Sequence, residues 1–385
     1  MDKWQEIRLG EFLTLKRGYD LPSQLRAIGG TIPIVSSSGI SGYHNEAKIS
    51  PPGVVTGRYG SVGAVFYVEQ PFWPLNTTLY VEDFKGNNPL FTYYLLQSLD
   101  FQKYSDKTSV PGVNRNDLHR IRLLLPPLPE QRKIAEILYT WDEAITTSER
   151  LLASLRERKK GLMQRMLSGQ VRFAEFEKSK EKQSTKFGET PVDWGYVRIA
   201  EVAQHASEKN NKGDDLPVLS CTKHDGLVDS LTYFGRQIFS DDTSTYKVVR
   251  RGQFAYATNH IEEGSIGYQN LYDRALISPM YTVFETNAKV DDRYLYLVLK
   301  TETYRQIFEQ NTNASVNRRG SLRWKEFSKI EIPLPEIEEQ RRIADLADSC
   351  DHEIELNRRK FTVLKQQKKG LIQHLLTGKI RVKVD

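Results

Sequence analysis

Glu130-Gln131-Arg132-Lys133-Ile134-Ala135 is answered by Glu339-Gln340-Arg341-Arg342-Ile343-Ala344, 209 residues later. The match runs without a gap from Glu130 to Gly169 and from Glu339 to Gly378, with 16 of 40 pairs identical, where about two or three are expected of unrelated sequences. It is therefore an internal repeat. Each copy follows a proline-rich stop (Pro126, Pro127, Pro129; Pro333, Pro335) and closes on Leu167-Ser168-Gly169 or Leu376-Thr377-Gly378. Steps of four and three bring Ile134, Leu138, Trp141, Ile145, Leu152, Leu155 and Leu162 onto one stripe of the first copy. Ile343, Ile354, Phe361, Leu364 and Leu371 fall on the same stripe of the second. That is the heptad seam of a coiled coil. Polar residues interrupt it at matched places, Ser148 with Asn357 and Lys159 with Lys368. They either pin the alignment of the helices or mark where each helix leaves its partner.

Forty helical residues span about 60 Å, too long for a helix inside an ordinary domain. Two such stripes in one chain are most simply satisfied against each other, antiparallel about a pseudo-twofold axis, with a head at each end. The expected fold is α+β: two β-rich heads separated by two long helices. The expected boundaries are a first head at 1–128, a long helix at 129–169, a charged linker at 170–190, a second head at 191–335, a second helix at 336–378 and a tail at 379–385. The heads repeat more faintly. Each opens on a tryptophan and an alternating run (Trp4, Ile7, Leu9; Trp194, Val197, Ile199). A strand beside a proline follows (residues 32–36; 216–220), then a turn (Gly60-Ser61-Val62-Gly63; Gly264-Ser265-Ile266-Gly267), an apolar helix (90–99; 294–303) and a last strand (121–125; 330–334).

The 385 residues carry 55 Lys and Arg against 49 Asp and Glu, a net charge of +6 that is compatible with a nucleic-acid partner. Two cysteines without disulfide or zinc spacing point to a reducing cytoplasm. No apolar run approaches the ~18 residues of a membrane span, so no membrane partner is expected. Catalysis finds no support: Gly378-Lys379-Ile380 lacks the rest of a phosphate-binding loop, Pro126-Pro127 lies outside any amino-methyltransferase motif, and the seven histidines have no paired metal spacing. No catalytic residue and no metal ligand is assigned.

Scaffold positions agree between the heads while loops differ: 56–59 against 257–260, and 113–116 against 316–319. One scaffold with two loop chemistries suits two different readings. Arg, Asn and Gln can contact guanine or adenine edges in two places, while hydroxyls and lysines hold phosphates. The candidate DNA-binding residues of the first head are Ser36, Ser37, Arg58, Tyr59, Ser61, Asn76, Asn114 and Arg115. Those of the second are Thr222, Lys223, Asn259, His260, Ser265, Asn317, Arg318 and Arg319. Polar loops are also simply what water favours. A coiled-coil adaptor would explain the helices but not the divergent loops. RNA binding would use the 19 Tyr and 16 Phe as stacking platforms.

The twin segments 125–135 and 332–344, the helix endings 161–169 and 370–382, and Gly57-Arg58-Tyr59-Gly60-Ser61-Val62-Gly63 resemble the specificity subunits of Type I restriction-modification systems. The resemblance covers essentially the whole chain and departs from the family at Asn259-His260. It implies two target-recognition domains, each reading one half of an asymmetric bipartite site on double-stranded DNA, with the helices as a ruler. It implies two adenine methyltransferase subunits as partners, with restriction subunits recruited to the assembly. This chain would bind no cofactor of its own; S-adenosylmethionine, ATP and Mg would belong to the partners.

Overall fold

The computed structural model describes residues 3–26, 29–105, 112–185, 188–211, 213–313 and 321–384. They form two compact units, one of Met1–Leu152 with Asn357–Asp385 and one of Ala153–Leu356. Each holds a β-rich head together with one end of each long helix, Leu128–Leu167 and Ile337–Leu375. The seam positions named above are all buried or half-buried in both helices.

In the first unit an antiparallel sheet orders Thr14–Arg17, Thr78–Asp83, Gly53–Gly57 and Val65–Val68. A second sheet joins Gly39–His44, Ile32–Ser36 and the parallel Trp73–Pro74, and Gln5–Arg8 pairs with Arg122–Leu125 just before the long helix. The helix Pro89–Ser98 packs Phe91, Leu95 and Leu96 into a core that also takes Ile134 and Leu138 from the long helix. Head and helix thus share one core and fold together.

The second unit repeats the four-strand order as Ala203–Ala206, Tyr281–Thr286, Phe254–Ala257 and Ile266–Tyr268. Gly195–Arg198 and Glu331–Leu334 form the equivalent entrance pair. Its apolar helix, expected over 294–303, runs instead over Asp292–Leu299 and gives way to a further helix, Glu302–Asn313. Thr301 makes the break: its hydroxyl donates to the Val298 carbonyl and accepts from the Tyr304 amide.

The repeated Glu-Gln signature fastens each head to its helix. Gln131 accepts the Asn88 amide and donates to the Pro126 carbonyl; Gln340 does the same with Asp291 and Pro335. Glu130, 2% exposed, takes two hydrogen bonds of 2.7 Å from Arg381 and one of 3.0 Å from the Trp4 indole. Glu339, 1% exposed, takes two of 2.8 Å from Arg172 and one of 3.2 Å from Trp194. Burial pushes the Glu130 carboxyl up, but the Arg381 guanidinium and the Trp4 indole outweigh it and leave it below its ordinary value.

Arg381 and Arg172 come from just past the ends of the two long helices. In each unit the end of one helix therefore meets the start of the other, an antiparallel pairing. The seam lysines follow suit. Lys159 reaches Asp351 at 2.5 Å in the second unit, and Lys368 pairs with Asp142 in the first. Asp351 and Asp142 are themselves repeat partners, so the seam lysines act as alignment pins. Ser148 is buried with no partner for its hydroxyl, so it pins nothing by hydrogen bonding.

The charged linker has structure of its own, and two of the expected matches between the heads need correction. In the linker a turn at Ala174–Phe176 precedes a hairpin of Lys182–Thr185 with Gly188–Pro191, and the Gln183 amide donates to the Pro191 and Trp194 carbonyls. Its start is the repeat equivalent of the C-terminal tail, because both supply the arginine that neutralises a buried glutamate. The matched turns are also displaced. Val65 pairs with Thr56 and Ile266 with Tyr256, which aligns Gly63 (φ 84°) with Gly264 (φ 93°), not Gly60 with Gly264. The positive φ needed before that strand selects glycine at this point. Finally, the amide of Val113 donates to the Arg58 carbonyl and that of Leu322 to Thr258. This matches 113–116 with 322–325 rather than 316–319, and Arg58 with Thr258 rather than Asn259. Backbone hydrogen bonds set this register, and loop residue identity does not.

Candidate nucleic-acid interface

Backbone hydrogen bonds gather three loops of the first head into one surface. The amides of Arg58 and Tyr59 both donate to the Thr77 carbonyl, at 2.9 and 3.2 Å, and the Arg58 carbonyl accepts from Val113 at 3.0 Å. The turn after Ile32–Ser36 adds a fourth segment, since a Cβ on Gly57 would lie 3.3 Å from that of Ser37. Arg58 lays its guanidinium 4.5 Å from the Tyr59 ring centre, and that ring is 42% exposed. Arg58 Nη2 also donates to the Tyr59 hydroxyl at 3.3 Å, and the remaining donors of the fork can meet a base edge or a phosphate. Ser61 and Arg115 are exposed beside this pair.

Other predicted residues serve the scaffold. Ser36 is buried and donates to the Gly39 carbonyl at 2.9 Å, closing its turn. Asn76 donates to Asp20. Asn114 is exposed but caps the helix Arg115–His119, its side chain accepting from the Asn116 amide at 2.9 Å. The same short helix is tied down by His119, whose Nε2 accepts the Leu15 amide at 3.0 Å. Burial, then the charges of Arg115 and Lys85, hold His119 below its ordinary value and so in the neutral form this bond requires.

In the second head, Thr258 takes the place of Arg58, its carbonyl accepting from Leu322 at 2.7 Å. Asn259 is half-buried and His260 exposed. Ser265 is 7% exposed, so its side chain faces inward and belongs to the scaffold. Thr222 closes the turn of its hairpin by accepting from the Asp225 amide, while Lys223 is exposed at the tip. Asn317, Arg318 and Arg319 lie outside the described residues. The exposed positions here that sequence reasoning missed are Met280, 65% exposed, and Arg323, at the start of the helix Trp324–Phe327; Thr77, the equivalent of Met280 in the first head, keeps its hydroxyl buried. Carrying the 209-residue offset back from Glu130 to Val113 would have found Arg323.

Electrostatics differ between the two surfaces. The first presents Arg58 and Arg115; the second sets Lys223 and Arg323 beside His260, Glu262 and Glu263. Potential ligand atoms of these last three lie within 4.8 Å of one another, and His260 Nδ1 is 3.1 Å from Glu263. The sequence reading found no metal spacing because it sought paired histidines. Carboxylates in such a loop repel phosphate but can accept from the cytosine amine.

Comparison with known proteins agrees with this geometry. The family model described as the Type I restriction modification DNA specificity domain matches residues 1–157 and 191–366. The chain is 26% identical to the Type I restriction enzyme MjaVIII specificity subunit of Methanocaldococcus jannaschii, over 99% of this chain and 94% of that protein. It is 27% identical to the putative MjaX specificity subunit of the same organism, over 77% and 70%. The crystal structure of a Type I S subunit from M. genitalium superposes with a TM-score of 0.59 at 15% identity, covering 97% of this chain and 96% of that one. This likeness shows a shared fold. No helix among the described residues is long and apolar enough to cross a membrane. With the family model matched across both heads and into both helices, the chain belongs to the DNA specificity subunits of Type I restriction-modification systems.

Proposed function

We propose that each head reads one half of an asymmetric bipartite site in double-stranded DNA, and that the long helices set the number of unread base pairs between the halves. One observation carries this reading: two heads with the same strand order and the same Glu-Gln fastening present different side chains at equivalent points. Arg58-Tyr59 answers to Thr258-Asn259, and Asn114-Arg115 to Arg323-Trp324. Arg58, Tyr59, Ser61 and Arg115 are the contacts of the first head; Lys223, Asn259, His260 and Arg323 are those of the second. The helices also dock two adenine methyltransferase subunits, a role supported by the exposed apolar residues Tyr139, Leu151, Leu356 and Val363 along them. Restriction subunits join the same cytoplasmic assembly. The chain is its non-catalytic part: S-adenosylmethionine, ATP and Mg are held by the partners.

Single-strand stacking is disfavoured because Tyr93, Tyr94, Tyr281 and Tyr296 are buried or half-buried. The test is genome-wide detection of N6-methyladenine in cells carrying this gene and its methyltransferase partner, with and without the gene. Loss of one bipartite motif on deletion supports the reading. An unchanged methylome, with the methyltransferase expressed, refutes it.

A further inference from the structure

The two units differ beside the seam lysines. In the first, the Tyr94 hydroxyl donates to Asp142 at 2.6 Å, and Lys368, paired with the same carboxylate, lies 5.1 Å from the Tyr94 ring centre. The ring closes this corner: the side chains of Lys368 and Asp142 are 13% and 34% exposed. In the second unit the helix-capping residue Asp291 stands where Asn88 stands in the first, each amide held by the repeated glutamine. Counting from these caps, Phe91 aligns with Tyr294 and Tyr94 with Leu297. Leucine cannot span the gap to Asp351. The corner stays open, with Lys159 and Asp351 24% and 59% exposed, and a groove of 1070 Å³ lies there, lined among others by Met163, Leu297, Tyr304 and Ile354.

We propose that this groove binds an acidic protein segment presenting a tyrosine, whose ring takes the position that Tyr94 fills in the first unit and whose hydroxyl donates to Asp351. The volume greatly exceeds one ring, so flanking residues of the segment enter with it. Charge selects their sign. Glu302 is already engaged by Arg305 and Asp351 by Lys159, while Arg156 and Lys160, both exposed, bring positive charge to the lining. Opposite charges steer and orient such an encounter. The inference stands on the internal comparison of the two units and does not depend on the DNA reading.

Saturation-transfer NMR on the full chain with the peptide N-acetyl-Asp-Tyr-Glu-amide tests it. Transfer to the tyrosine ring is expected with the natural chain. Leu297→Tyr, which fills the corner from within, should weaken binding by about tenfold or more. Lys160→Glu, a surface change that leaves the fold intact, should weaken this peptide while sparing N-acetyl-Ala-Tyr-Ala-amide. Absence of transfer at millimolar peptide overturns the proposal, and so does equal binding by natural and folded Leu297→Tyr chains. If Leu297→Tyr does not fold, equal binding of both peptides to the natural chain and to Lys160→Glu overturns it instead.

Discussion

Replacing Arg381 with Ala strands a carboxylate. Glu130 is 2% exposed and would lose both 2.7 Å charge-assisted hydrogen bonds, keeping the 3.0 Å bond from Trp4 and the backbone amide of Val382. Breaking a buried ion pair costs about 3–5 kcal/mol. Because the Arg381 side chain is 28% exposed, water can partly replace it, and the expected cost at neutral pH is about 3 kcal/mol. The pH dependence is more diagnostic. In the natural chain the folded Glu130 carboxyl lies below its ordinary value of 4.5. Its contribution is therefore complete above about 4.5 and is lost as pH falls through the folded value. Without Arg381, burial, the largest influence on this carboxyl, is opposed only by the Trp4 indole and the Val382 amide, so the carboxyl rises and protonation relieves the variant. The stability gap between the two chains should shrink to about 1 kcal/mol on going from pH 7 to below the folded value. Hydrogen exchange of the 130–138 amides in urea follows this unit separately from the other. A gap below 1 kcal/mol at pH 7, or one that does not change with pH, would refute the reasoning.

The equivalent Arg172→Ala should cost more, about 4 kcal/mol, because Arg172 is 7% exposed and also binds Asp193; exchange of the 339–347 amides reads it. Asn114→Ala should lose about 1 kcal/mol of helix capping, whereas Asn114→Asp keeps the cap; equal destabilisation of Arg115–His119 by both changes would contradict the cap assignment. The fold of the first head should lose stability as pH falls below about 6.5, since neutral His119 accepts the Leu15 amide, and His119→Gln should flatten that profile in pH-dependent melts. Inserting seven residues at matched points of both helices lengthens them by about 10 Å, or about three base pairs of DNA at 3.4 Å each. The methylated motif should gain that spacer with both half-sites unchanged, as methylome sequencing would show.

The repeat, both long helices, the seam and the antiparallel pairing are legible in the residues because burial along a helix imposes a period that sequence must obey. Glu130 and Gln131 announce themselves by recurring as Glu339 and Gln340, although recurrence does not say why. Only the folded chain shows that the glutamate needs an arginine from beyond the other helix, which turns the supposed linker and tail into structural parts. Loop register was the least legible. Arg58 corresponds to Thr258, and Asn114 to Arg323, through backbone carbonyl and amide groups, so side-chain identity does not record the match; for Asn114 and Arg323 only the 209-residue offset of the helices carries it. The same holds for the groove beside Leu297. A leucine in an apolar helix reads as core, and it becomes an opening only because tertiary structure sets it where the other half of the chain places Tyr94.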